Sequence, residues 1–225
     1  MIEAFRLGVI ARGGTLWDGL DFAFGEGAVW AVTGPPSSGK TLLLSVLRGD
    51  RRPDAGDVLV SGESLYRGGG PAAKTFRASR GFIPERFDGE ARLTVDDLFL
   101  RSALAGGGMA GKERREREER LLAMVGLPGA ERTVLAVLSA SERARALLAA
   151  ELLRNPKVLF ADGLVVAAGE PYREMLGGLF RALAREGNTI VLAERALPDR
   201  WAASAGDGEA VGPFRIHCLR GTKGA

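Results

Sequence analysis

The sequence predicts an α/β fold, and three observations carry that expectation. Residues 29–47 read as strand, glycine-rich loop and helix: Val29 to Thr33 is a short apolar run, Gly34 to Thr41 the loop, and Leu42 to Leu47 an apolar helical stretch. Two further short buried runs, Val158 to Asp162 and Thr189 to Ala193, are separated by a helical pattern from Tyr172 to Arg185. Between these halves, about 86–154, the texture changes to helix signals alone.

In chain order, Ala4 to Ile10 and Leu20 to Phe24 read as strands, with turns at Gly13-Gly14 and Gly25-Glu26-Gly27. Arg51 to Gly56, with Pro53 and Gly56, is a turn, and Val58 to Ser61 a short strand. Gly68-Gly69-Gly70-Pro71 reads as a loop, and Gly81 to Pro84 as the exit from a short apolar element. Thr94 with Asp97 has capping-box spacing and opens a helix, which Gly106-Gly107-Gly108 interrupts. A charged helix runs from about Gly111 to Val125 and stops at Gly126. Ser139 and Glu142 form a second capping box, S-x-x-E, for a helix reaching Arg154.

Gly34-Pro35-Pro36-Ser37-Ser38-Gly39-Lys40-Thr41 fits G-x-x-x-x-G-K-[ST] without a mismatch, in the strand–loop–helix setting that motif requires. Successive backbone N–H groups in such a turn form an anion nest, and the helix N-terminus adds partial positive charge. Lys40 has the reach for β- and γ-phosphates, and the Thr41 hydroxyl is a Mg²⁺ ligand type. The chain is therefore expected to bind a nucleoside triphosphate.

Composition narrows the remaining classes. At 225 residues, 46% hydrophobic, the chain has the size of one domain, or of one domain with an inserted lobe. A net charge of +3 with no basic stripe gives no reason to expect a nucleic-acid partner. The densest charge run, Lys112 to Arg120, mixes signs at helical pairing distances and reads as a solvated face. Cys218 and His217 are the only residues of their kinds, which leaves no disulfide and no cysteine-based zinc site, and both fall in what reads as a short C-terminal tail. No apolar stretch reaches membrane-span length and no signal pattern opens the chain, so a cytoplasmic location is expected. Trp17, Trp30 and Trp201 read as packing residues rather than stacking platforms.

In their order, these pieces resemble the nucleotide-binding domain of ABC ATPases over nearly the whole chain. The densest match is Leu138 to Asp162, LSASERARALLAAELLRNPKVLFAD, where that family has a Leu-Ser-Gly-Gly-Gln signature, a helix, an Asn/Asp-Pro turn and a strand ending in a Mg²⁺-linked Asp. Leu93 to Leu98 and Met124 to Leu127 resemble segments of the family's helical subdomain. The resemblance implies a P-loop NTPase (RecA-like) core, about 1–85 and 155–225, carrying an antiparallel β subdomain and a helical subdomain, about 86–154. It implies ATP and Mg²⁺ as cofactors. Gly34, Ser37, Ser38, Gly39, Lys40, Thr41 and Leu42 are the implied nucleotide-binding residues, with Arg12 near the place of the adenine-stacking aromatic. Leu138, Ser139, Ala140, Ser141 and Glu142 are the implied signature, and Thr41, Asp162 and Glu85 the metal residues, Glu85 standing at the family's Gln. Without a nucleotide partner, Ser139 and Glu142 also make sense as a cap, and Asp162 as a turn residue.

The departures from the family are specific. Gly163 occupies the place of the catalytic glutamate that polarises the attacking water, and Arg195 that of the switch histidine. Ala140 and Ser141 replace the signature glycines, and Ala167-Ala168-Gly169-Glu170 replaces the loop that follows the acidic pair. The implied protein is weakly hydrolytic or non-hydrolytic by itself, unless Glu170 or Glu194 stands in for the missing acid. Its implied partners are an integral membrane permease and a second ABC subunit, a heterodimer being favoured over a homodimer, on the cytoplasmic face of the membrane. The permease is expected in a groove along Ile83 to Leu104, lined by Phe87, Phe99 and Leu100. Two other classes fit the phosphate loop. One is a small-molecule kinase with Arg114, Arg115 and Arg117 on a lid, and the other is a soluble ABC protein without a transport role.

Overall fold

The computed structural model describes residues 1–11, 14–87, 92–109, 111–198, 201 and 214–218, the last five by their backbone. Two sheets organise it. Strands β1 (Ile2–Ala11), β2 (Gly14–Phe24), β4 (Ala55–Val60) and β5 (Glu63–Ser64) form an antiparallel sheet in the order β2-β1-β4-β5. Strands β3 (Val29–Thr33), β6 (Arg80–Ile83), β7 (Val158–Asp162), β8 (Thr189–Glu194) and β9 (Phe214–Cys218) form a parallel sheet in the order β6-β7-β8-β3-β9.

Strands β3, β7 and β8 are apolar and buried nearly along their whole length because both of their faces are covered. Their two-residue period sorts them between two cores. Trp30, Val32, Phe160 and Val191 face a core shared with the antiparallel sheet and with helix α1 (Lys40–Leu47), where Leu7, Phe24, Leu43 and Leu47 are buried. Val29, Ala31, Leu159, Ala161, Ile190 and Leu192 face a second core. That core is closed by α3 (Val95–Ala105), α4 (Gly111–Met124), α5 (Ala140–Leu153), α6 (Leu164–Ala168) and α7 (Glu170–Arg185).

Both capping boxes form. The Thr94 hydroxyl accepts from the Asp97 N–H while Asp97 accepts from Thr94, and Ser139 and Glu142 do the same at α5. Trp17, Trp30 and Trp201 are all buried in packing positions.

Several sequence readings need correction. Pro71 is not the end of a loop but the first turn of α2 (Pro71–Ser79), whose buried residues, Ala73 and Phe76, are too few to announce a helix. The stretch after Asp162 is α6 and the start of α7 rather than a loop. The tail carrying His217 and Cys218 is β9, paired in parallel with β3 from Val29↔Phe214 to Thr33↔Cys218. The charged run on α4 is not wholly solvated, because Arg114 and Glu118 are buried. Arg114 bonds Asp96 at 2.6 Å and Glu118 at 2.9 Å, and burial pushes the Glu118 carboxyl up to about 7. This pairing removes Arg114 from any phosphate lid. Phe99 is fully buried within α3 and cannot line a docking groove, whereas Leu100 is 44% exposed and Leu104 69%.

Candidate nucleotide site

All five parallel strands point their C-terminal ends to one edge, and in open α/β sheets that edge is where ligands bind. The phosphate loop leaves β3 there, Glu85 follows β6, Asp162 closes β7, and Glu194 and Arg195 follow at the end of β8. Topology thus brings together residues that lie up to 161 positions apart, from Gly34 to Arg195.

The loop is built on two left-handed residues, Ser37 at φ 63° and Gly39 at φ 92°, the latter the N-cap of α1. A Cβ at Gly39 would lie 2.5 Å from Leu16 Cδ2 and 2.7 Å from Trp17 Nε1, so glycine is required for β2 to roof the loop. Trp17 Nε1 donates to the Ser38 carbonyl at 3.0 Å and pins that roof. The Lys40 ammonium donates to the Gly34 and Pro35 carbonyls at 2.9 Å each, lying across the loop. Ser38 is 2% exposed, and its hydroxyl has no hydrogen-bond partner among the described residues.

Asp162 is buried next to this loop. Burial raises its carboxyl above the usual range, the Thr41 hydroxyl donates to it and lowers it, and the charge of Glu85 raises it again. Thr41, Asp162 and Glu85 therefore form one oxygen-rich cluster, with the Lys40 charge beside it. Hard oxygen donors of this kind suit Mg²⁺, and the orphaned Ser38 hydroxyl suits a phosphate oxygen. The residues present fit a magnesium–nucleotide complex. Leu42, on the first turn of α1, is half-buried against the first core. Arg12 lies outside the described residues.

Gly163 adopts φ 63° as the N-cap of α6, and its N–H donates to the Ala193 carbonyl at 2.8 Å. A Cβ there would stand 3.1 Å from Glu85 Cγ. Arg195 is exposed. Glu194 is only 1% exposed: one carboxylate oxygen accepts from the Val165 N–H at 2.7 Å, and the other has no hydrogen-bond partner among the described residues. Burial pushes it up to about 7. It acts as a capping acid for α6, supplied from β8, and sequence spacing could not have shown this. Glu170 is paired with Arg173 at the exposed start of α7.

The signature-position residues lie at the N-terminus of α5. Leu138 is buried, Ser139 and Ala140 are exposed, and Glu142 is engaged in the cap, its carboxylate accepting from the Ser139 N–H at 2.8 Å. The Ser141 hydroxyl donates to the Ala168 carbonyl and ties α5 to α6. Arg145 was not singled out by its sequence. It is buried, donates to the Val125 carbonyl at 2.6 Å, and stacks on Tyr172 at 3.5 Å, locking α4, α5 and α7 together.

Fold and loop define a P-loop nucleotide-binding cassette. A family model described as ABC transporter matches residues 17–165, and the chain belongs to that family. It is 32% identical over 185 residues to the methionine import ATP-binding protein MetN of Streptomyces avermitilis, covering 79% of this chain and 53% of MetN. It is 30% identical over 175 residues to the uncharacterized ABC transporter ATP-binding protein YknY of Bacillus subtilis, covering 77% of this chain and 75% of YknY. The chain spans about half the length of the MetN relatives it matches. Among solved structures, the dimeric bacterial ABC transporter cassette MJ0796 superposes with a TM-score of 0.82 at 23% identity, covering 98% of this chain and 94% of that one. A second, post-hydrolysis MJ0796 dimer bound to ADP and Pi gives 0.81 at 22%. These likenesses show the shared fold. No helix of the described residues is long and apolar enough to cross a membrane.

Proposed function

We propose that this chain is the ATP-binding subunit of an ABC transporter-type complex, that it hydrolyses ATP weakly or not at all by itself, and that it gates a membrane partner through ATP-dependent dimerisation. Family membership carries the coarse reading, with ATP and Mg²⁺ as cofactors. The finer reading rests chiefly on one observation: the Thr41–Asp162 pair is kept, while the place beside it belongs to a glycine at φ 63° where an added Cβ would stand 3.1 Å from Glu85 Cγ.

In this reading, loop residues 34–41 bind the phosphates through backbone N–H groups, the Ser38 hydroxyl and the Lys40 ammonium. Thr41 and Asp162, with Glu85 beside them, hold the Mg²⁺. The metal neutralises phosphate charge when bound. No carboxylate stands at position 163 to orient water, and an arginine at position 195 lacks the imidazole that a proton shuttle needs. Glu194 and Glu170 are engaged elsewhere. Leu138 to Glu142 present the N-terminus of α5 to the γ-phosphate held by a second subunit. A partner ABC subunit with an intact catalytic glutamate would make a heterodimer with one hydrolytic site, which we favour over a homodimer. The single nucleotide-binding domain divides into a core, about 1–85 and 155–225, and a helical lobe, about 86–154. The complex sits on the cytoplasmic face of a membrane, and nucleic acid has no part in it.

Steady-state phosphate release, measured beside ATP affinity, tests this. MgATP should bind, and Lys40→Ala should lose the charge-assisted contacts, about 1.5–3 kcal/mol. Turnover should stay far below about 1 s⁻¹, the low end of ordinary enzymes. Turnover at or above that level, abolished by Lys40→Ala, would overturn the non-hydrolytic reading, and unchanged affinity in Lys40→Ala would overturn the nucleotide site itself.

A further inference from the structure

A second charged pocket lies at the opposite edge of the parallel sheet. Arg80 opens β6, at the N-terminal end of the strands, whereas the phosphate loop leaves their C-terminal end. Around a cavity of about 220 Å³ stand four guanidinium groups, those of Arg48, Arg77, Arg80 and Arg154. Only two carboxylates, Asp50 and Glu151, line it with them.

The charges do not balance. Asp50 serves two cations, bonding both Arg48 and Arg80, the latter at 2.8 Å. Glu151 is 3.8 Å from Arg154 and also accepts from the Phe82 N–H at 3.3 Å. Backbone carbonyls take part of the surplus: Arg77 donates to Leu65, Arg80 to Arg77 at 3.2 Å, and Arg154 to Ala78 at 3.0 Å. Arg48 Nη1 and Arg154 Nε stay buried with no hydrogen-bond partner among the described residues. The Arg48 guanidinium carbon sits over the Phe82 ring, 3.3 Å from its centroid. Burial and the neighbouring Arg80 charge push Arg48 down to about 10, and burial with the charges of Arg77 and Arg154 lowers Arg80 as well. Four guanidinium groups outnumber the two carboxylates that line the cavity, and although the charge of Asp162 also reaches Arg48, the cavity carries a surplus of positive charge.

We propose that the pocket bounded by Arg48, Arg77, Arg80 and Arg154 binds a doubly charged oxyanion of the phosphate class. Guanidinium forks match the geometry of a tetrahedral oxyanion, and the cavity has the volume for a small one. The ligand bridges α1, β6 and the C-terminal end of α5, and so fastens the helical elements to the sheet from the side away from the nucleotide. None of its residues belongs to the phosphate loop, although the charge of Arg48 reaches Asp162 of the nucleotide site.

Calorimetric titration with inorganic phosphate is run on the Lys40→Ala chain, whose loop is weakened, and the binding assigned to this pocket is the part that Arg77→Gln or Arg80→Gln removes. Saturable, salt-sensitive binding is expected, weakened at least about tenfold by Arg77→Gln or Arg80→Gln, as for loss of one charge-assisted contact. A parallel titration with glycerol phosphate separates the sources: equal binding means that a phosphate ester is accepted, and loss of binding means that the free ion is. A second measurement guards against misfolding. In buffer free of oxyanions, Arg77→Gln relieves like-charge repulsion and should raise the melting temperature. Absence of saturable phosphate binding in Lys40→Ala, or a melting temperature lowered by Arg77→Gln with phosphate binding intact, overturns the proposal.

Discussion

In the weakly hydrolytic reading proposed above, hydrolysis turns on Gly163, and its backbone says more than its missing side chain. At φ 63° an L-residue costs roughly 1–2 kcal/mol, and a Cβ would press on Glu85 at 3.1 Å. Restoring the family's carboxylate is therefore not a simple exchange. Gly163→Glu is expected to melt several degrees lower and to leave phosphate release at background, because the new side chain starts from a strained backbone and meets the charge of Glu85. The double variant Gly163→Glu/Glu85→Gln removes that repulsion and should recover part of the lost stability. Thermal melts and phosphate release across the two variants check this. A single variant as stable as the natural chain and turning over ATP would show that the backbone adapts freely. Position 163 was legible from the sequence through its ungapped distance to Asn155-Pro156 and Asp162. The left-handed conformation was not, since local sequence does not set it: the Gly163 N–H is held by the Ala193 carbonyl on another strand.

Among the elements, those whose ends are capped by their own residues were readable, and those capped from elsewhere were not. Thr94–Asp97 and Ser139–Glu142 announce α3 and α5 by spacing alone. Helix α6 begins where Glu194 reaches across from β8, β9 exists because β3 offers it an edge, and α2 buries little besides Ala73 and Phe76. Local caps predict local costs: Ser139→Ala should destabilise by about 1 kcal/mol, or about 2–4 °C for a chain of this size, read from thermal melts. An unchanged melt would mean that Glu142 alone holds the turn. Glu194 predicts a pH dependence. Its carboxyl is raised from 4.5 to about 7, so between those values the folded chain holds a proton that the unfolded chain has released. Its contribution to stability is full below the unfolded value and is lost as pH rises through about 7. Glu118, also raised to about 7, titrates in the same window. Melting temperature should fall from pH 5 to pH 8, and Glu194→Gln should flatten the part of that fall that Glu118 does not supply. An identical pH profile in Glu194→Gln would show that Glu194 is ionised throughout.

At the scale of the whole molecule, α3 decides where a membrane partner would dock. Its buried residues, Val95, Leu98, Phe99, Ser102 and Ala103, form the stripe that faces the second core. Leu100 and Leu104, four positions apart, share the opposite face and stand 44% and 69% exposed. The sequence pattern contained this division, since each residue of an α-helix is turned by about 100° from the last, which points Leu100 away from Phe99. Two large apolar side chains held together on an outer helix face make a docking surface in the transport reading. Leu100→Asp/Leu104→Asp should leave the melt and ATP affinity nearly unchanged, because neither side chain is in the core, while removing a multi-span partner from co-purification in detergent. Phe99→Asp should instead unfold the helical elements, since it buries a charge in the second core, and it serves as the control for a packing effect. Retention of a membrane partner by the folded double variant would move the docking site off α3. Co-purification with soluble proteins alone, under the same conditions, would end the transporter reading and leave a soluble ABC protein in its place.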